Sequence, residues 1–199
     1  MLRRKCLLIV SIAATGCSNA PARFVAPEID IEAAATQAME LYDANGNGSL
    51  SKEEMARVPG ILARLKAYDL NTNESVEREE IQTQLSRLLN RVGGTQLSAL
   101  VFYKGRPLKD ATIVMEPEPY LGDQIQKAEA VTDGAGVAEL AIPPEYTPEH
   151  LRRFKTLHYG TFKVRITHPS ISLPAKYNTE TTLGYETEPG KPTVSFSLQ

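Results

Sequence analysis

Residues 43–54 read Asp-Ala-Asn-Gly-Asn-Gly-Ser-Leu-Ser-Lys-Glu-Glu, an alternation of oxygen-bearing and small side chains suited to a hard divalent cation. Counted from Asp43, side-chain oxygens stand at positions 1, 3 and 5 (Asp43, Asn45, Asn47) and a glycine at 6 (Gly48). Ser49 at position 7 can offer its backbone carbonyl, Leu50 is the apolar eighth residue, and Glu54 at position 12 can chelate with both oxygens. The chemistry expected is calcium binding, because Ca2+ takes six to eight oxygen ligands in a flexible shell. The same grammar recurs downstream. Asp69, Asn71, Asn73, Ser75, Val76, Glu77 and Glu80 fall at positions 1, 3, 5, 7, 8, 9 and 12.

The second loop departs from the first at position 6, where Glu74 replaces glycine. Holding a non-glycine residue in the left-handed region costs roughly 1–2 kcal/mol. Loop 69–80 therefore reads either as a second, weaker calcium site or as a metal-free structural partner. Glu77 at position 9 adds a carboxylate that is expected to act through a water. Each loop has two certain carboxylates, Asp43 with Glu54 and Asp69 with Glu80. So few charges point to the weak end of the calcium range, about 10⁻⁵–10⁻³ M. Magnesium fits a twelve-residue cage with a bidentate Glu less naturally. Leu50 and Val76 are expected to pair in a short ladder between the loops.

Helical segments must hold these loops. Asp30 is a candidate N-cap for a helix over 31–42, whose Met39, Leu41 and Tyr42 sit at core offsets before the first loop. Residues 52–58 would leave that loop and stop at Pro59-Gly60. Residues 61–68 would enter the second, with Leu65 and Tyr68 in the same offsets. A last helix over about 78–92 carries Ile81, Leu85, Leu88 and Leu89 on one face. From Gln96 onward the texture changes to short apolar runs: 97–103, 111–116, 127–132, 137–142, 161–167, 183–187 and 193–198. Gly105-Arg-Pro107 and Asp133-Gly-Ala-Gly136 read as turns between them, and Thr147-Pro148-Glu149 as the start of a short helix.

On these motifs, residues 29–92 resemble an EF-hand calcium-binding pair. The short offset between the loops implies a truncated central helix pair and leaves a dockerin-like variant open. Residues 95–199 resemble the carboxypeptidase regulatory-like domain through Gly105-Arg-Pro-Leu-Lys-Asp-Ala-Thr-Ile-Val114 and Val131-Thr-Asp-Gly-Ala-Gly-Val-Ala-Glu-Leu140. Residues 173–184 resemble the ending of small planctomycete-type lipoproteins. The fold implied has two domains, an all-α EF-hand pair followed by an all-β antiparallel seven-stranded sandwich of transthyretin (prealbumin) type. That second resemblance carries no catalytic residues. Some intradiol dioxygenases place two Tyr and two His on iron in a related sandwich, which brings His158, His168, Tyr159 and Tyr177 to notice. Surface or edge-strand roles are the expectation for them.

The chain has 199 residues, 42% hydrophobic and 23% charged, with 22 basic against 24 acidic side chains. That balance offers no basic patch for nucleic acid. Met1-Leu-Arg-Arg-Lys5 followed by an apolar run and Ala14-Thr-Gly-Cys17 resembles a lipoprotein signal, too short to span a bilayer. Residues 1–17 are thus expected to be a signal ending at a lipidated Cys17, and 18–28 a tether; a secretory signal cut near Ala20 is the alternative. Cys6 and Cys17 are the two cysteines, so the folded region has neither disulfide nor thiolate zinc site.

Neither a nucleophile elbow nor a phosphate loop occurs. The expectation is a non-enzymatic calcium-binding protein of the cell envelope, anchored to a membrane through Cys17 and meeting a protein partner there. Under the bacterial sorting convention Ser18, rather than Asp, after the cysteine favours the outer membrane; the alternative is a secreted protein. The alternative function is an accessory carbohydrate- or protein-binding subunit of an envelope hydrolase complex.

Overall fold

Asp30 starts the first helix as the sequence suggests, its carboxylate accepting the Ala33 N–H at 3.0 Å. In the computed structural model, which describes residues 24–90 and 93–199, this helix, α1, runs Ile31–Tyr42. It buries Ala34, Ala35, Ala38 and Tyr42. Leu41, expected in the core, is 40% exposed. After the first loop come three single-turn helices, α2 (Lys52–Met55), α3 (Pro59–Leu62) and α4 (Leu65–Tyr68). After the second comes α5 (Arg78–Leu89), burying Ile81, Gln84, Leu85 and Leu88. Two-residue strands β1 (Ser49–Leu50) and β2 (Val76–Glu77) join the loops, with Leu50 opposite Val76.

The remaining strands form two four-stranded sheets. In one, β3 (Leu97–Tyr103) pairs with β4 (Arg106–Pro107), β7 (Val137–Leu140) and β10 (Thr193–Leu198). In the other the order is β6 (Ala128–Val131), β5 (Thr112–Pro117), β8 (Thr161–Thr167) and β9 (Gly184–Glu186). Lys104 and Gly105 take positive φ of 51° and 76°, the geometry of a two-residue hairpin. Arg106-Pro107, expected in a turn, therefore belongs to a strand. Short 3-10 turns occupy Pro119–Leu121, Pro144–Tyr146, Glu149–Leu151 and Ala175–Tyr177.

This architecture corrects the fold expectation. Neither an all-α EF-hand pair nor a seven-stranded transthyretin-like sandwich is formed; the fold is mixed α/β, with five helices and three sheets among the described residues. Two features defeat the expectation. The sheet segment carries eight strands, β3 to β10, in two four-stranded sheets, where seven were expected. Moreover β10 runs parallel to β3, with Val194 opposite Ala99 and Phe196 opposite Val101, so the larger sheets are not wholly antiparallel. One buried core spans the helical and sheet segments, from Tyr42, Ile61 and Tyr68 through Ile113, Met115 and Phe162.

Close backbone approach joins the two. A Cβ on Gly184 in β9 would lie 1.9 Å from the Pro59 carbonyl oxygen, and one on Gly60 would lie 3.2 Å from Glu118 Oε1. Only glycine lets α3 rest on the sheet this closely.

Candidate metal centre

Loop 43–54 gathers its oxygens by wrapping backbone N–H groups around them. Asp43 Oδ1 accepts from Gly46 N at 2.8 Å and Asn47 N at 3.2 Å, and Oδ2 from Gly48 N at 2.9 Å. Asn45 Oδ1 accepts from Asn47 N, and Asn47 Oδ1 from Ser49 N, both at 2.9 Å. Glu54 reaches back across the loop: Oε1 accepts from Ala44 N at 2.9 Å and Asn45 N at 3.3 Å, Oε2 from Ser51 N at 2.9 Å. The Ser51 N–H, then burial working against it, sets a balance that holds the Glu54 carboxyl below its ordinary value, so it is ionised at neutral pH.

Loop 69–80 repeats this set nearly residue for residue. Asp69 accepts from Asn73 N and Glu74 N, each at 3.0 Å, and Asn71 Oδ1 accepts from Asn73 N at 3.0 Å. Asn73 Oδ1 accepts from Ser75 N at 2.9 Å and Ser75 Oγ at 2.8 Å. Glu80 accepts from Leu70 N at 2.8 Å, Asn71 N at 3.2 Å and Glu77 N at 3.0 Å. Every residue singled out as a metal ligand, Ser49 and Ser75 included, thus stands in one of two equivalent loops.

The loops differ in backbone strain. Loop one has glycine at both left-handed positions, Gly46 (φ 68°) and Gly48 (φ 85°); loop two has Thr72 (φ 62°) and Glu74 (φ 65°). The Glu74 strain was legible in the sequence, whereas Thr72 was missed. A β-branched residue at positive φ is unfavourable, and the position-4 requirement shows only in the dihedrals. Glu74 also ties the loops together, its carboxylate 2.8 Å from Lys52 Nζ.

No group of three or more His, Cys, Asp or Glu side chains able to hold a metal occurs among the described residues. At the ligating positions each loop has two carboxylates, Asp43 with Glu54 and Asp69 with Glu80, and Asn and Ser oxygens would supply the rest. An all-oxygen set of this kind suits a hard cation and not a thiophilic one.

Behind each loop a tyrosine lies near a buried carboxylate of the sheet half, and the first of the two hydrogen-bonds to it. Tyr42, directly before Asp43, donates to Glu118 Oε2 at 3.3 Å, while Gly60 N donates to Oε1 at 3.1 Å. Lys163 Nζ lies 3.7 Å from the same carboxylate. Burial raises the Glu118 carboxyl, with Lys163 opposing. Tyr68, directly before Asp69, is fully buried near Glu186, to which Gln84 Nε2 donates at 2.9 Å. Burial raises Glu186 as well. These two glutamates carry no motif; a lone Glu after a strand (Glu118) or within one (Glu186) gives no sign that it will be buried.

The histidine–tyrosine set is not assembled as a site. His158, expected at the surface or on an edge strand, is buried outside the named strands: its ring lies 5.0 Å from the Phe24 ring, and Nδ1 accepts the Gln126 N–H at 3.3 Å. His168 caps a turn, Nδ1 accepting from Ser170 N and Ile171 N at 3.0 Å. Tyr177 Oη accepts from Gln199 N at 2.9 Å. The Asp133 turn is a hairpin device, its Oδ1 accepting from Ala135 N and Val137 N. Cys17 and its signal lie outside the described residues, among which no helix is long and apolar enough to cross a membrane.

No protein-family model matches the chain. Nor does any curated protein. The resemblances read from the motifs, the planctomycete-type lipoprotein among them, therefore gain no family. Among solved structures the chain is similar to a 9R-lipoxygenase from Cyanothece PCC8801, at 13% identity and a TM-score of 0.28. That likeness covers 73% of this chain and 23% of the lipoxygenase, and it carries no argument about fold or activity.

Proposed function

We propose that the protein is a non-enzymatic calcium-binding module of the bacterial envelope, held at a membrane by lipid on Cys17, whose calcium ions stabilise the helical segment. The observation that carries this reading is the repetition of one hydrogen-bond set in two loops, which turns Asp43, Asn45, Asn47 and Glu54, and Asp69, Asn71, Asn73 and Glu80, to matching uses. Asp43 and Asp69 supply charge, the Asn side chains neutral oxygens, Ser49 and Ser75 backbone carbonyls, and Glu54 and Glu80 the closing carboxylates. An ion bound by the folded chain alone adds RT ln(1 + [L]/Kd), about 2.7 kcal/mol at a hundredfold excess over Kd. The core shared with the sheets carries that gain to the whole protein.

Calorimetric titration of the purified protein with Ca2+ tests this. Binding between about 10⁻⁵ and 10⁻³ M is expected, with a rise in Tm that Glu54→Gln reduces. Absence of heat and of any Tm change, with Glu54→Gln behaving as wild type, would sink the reading.

A further inference from the structure

The ninth position distinguishes the two loops. In loop one it is Ser51, whose Oγ accepts from Glu54 N at 3.3 Å and so caps α2. In loop two it is Glu77, and its carboxylate is turned into the loop. Oε1 accepts from Asn73 Nδ2 at 3.1 Å, and Oε2 from Asn71 Nδ2 at 3.4 Å. Both asparagines are among the oxygen donors of the proposed calcium site. We propose that Glu77 is a positioning residue for calcium in loop two, holding the Asn71 and Asn73 amides with their oxygens available to the metal, and is not itself a ligand through water. The inference rests on the calcium reading above.

An asparagine amide can present either oxygen or NH2 to a given direction, and only the oxygen can ligate a cation. In loop two the backbone meets one corner of each amide: Asn73 N donates to Asn71 Oδ1, sharing its proton with Asp69 Oδ1, and Ser75 N donates to Asn73 Oδ1. Glu77 settles the opposite corner. An ionised carboxylate accepts hydrogen bonds and donates none, so an amide turned the other way would set its oxygen against the Glu77 oxygens. One carboxylate thus penalises the wrong rotamer of both donors. This matters more in loop two, which carries strained Thr72 and Glu74 where loop one has glycines. Groups that orient metal ligands in this manner typically change affinity by about 10–100-fold when removed. For a half-buried carboxylate the low end applies.

Site-resolved NMR titration with Ca2+ tests the assignment, using the Gly48 and Glu74 amide signals as reporters of loops one and two. Glu77→Ala is expected to weaken loop two about tenfold and leave loop one unchanged. Glu77→Gln, which keeps one acceptor oxygen, is expected to lose less. The deciding variant is Glu77→Ala in a chain already carrying Asn71→Asp and Asn73→Asp. Carboxylates need no amide orientation, and Glu77 would only repel them, so there the loss vanishes or becomes a gain. A similar loss in both backgrounds identifies Glu77 as a ligand and overturns the assignment, as does an unchanged affinity in the Asn background. If calcium shifts Gly48 alone in the wild-type protein, the positioning role fails while the calcium reading stands. If it shifts neither amide, both fail.

Discussion

Relieving the left-handed strain in loop two should stabilise the protein, and imposing it on loop one should do the reverse. Glu74 has φ 65° at the position where loop one has Gly48 at 85°. For a non-glycine residue that conformation costs roughly 1–2 kcal/mol. Glu74→Gly removes the cost but adds backbone freedom to the unfolded chain, which returns about 0.4–1 kcal/mol. The Glu74 N–H bond to Asp69 survives, since it is a backbone donor. What is lost is the pair with Lys52, between groups with side-chain exposures of 76% and 50%, which contributes little. The net expectation is about 1 kcal/mol of added stability, or about 2–4 °C in Tm for a chain of this size.

The measurement is urea unfolding in excess calcium, where the relief counts whether or not the loop relaxes without metal, because both contributions separate the bound folded state from the unfolded one. Gly48→Ala in the same assay should destabilise by about 1 kcal/mol, the strain less the same unfolded-chain contribution, and no neighbouring atom within 4 Å confuses strain with crowding. Opposite signs are required. A destabilised Glu74→Gly, or a neutral Gly48→Ala, refutes the reasoning.

Other expectations concern the seam between helices and sheets. Gly184→Ala would put a Cβ 1.9 Å from the Pro59 carbonyl oxygen, so α3 must lift from β9; a loss of about 3 kcal/mol is expected by chemical unfolding, and a loss within error of zero would refute the steric argument. Burial raises the Glu118 and Glu186 carboxyls above their ordinary value of 4.5, so the folded chain binds these protons more tightly than the unfolded one. Their contribution is fully present below that pH and is lost as pH rises through the folded values. Glu54, held low, acts in the opposite sense, losing its contribution as pH falls. Glu186→Gln should therefore gain on wild type as pH rises from about 4 to 7; parallel stability curves would contradict this.

The sequence by itself determined the loops and most strand positions, because both are written in short-range chemistry. Oxygen donors at alternate positions, glycine or its absence at the sixth, and glutamate at the twelfth are local requirements, and the Leu50–Val76 pairing follows from the eighth position. Alternating apolar runs likewise mark strands, since side chains point to opposite faces with a period of two. Neither signal carries direction or partner. That β10 lies parallel to β3 and that β6 and β7 fall in different sheets was settled by which apolar faces could be buried together. The fold class went astray for the same reason. Helix and strand textures in separate segments suggested an all-α unit followed by an all-β one, yet Gly60 and Gly184 permit a backbone contact that joins them. Only tertiary structure could bury Glu118 and Glu186 behind Tyr42 and Tyr68, or turn Glu77 toward two asparagine amides, because these contacts depend on where side chains are brought in space and not on their spacing along the chain.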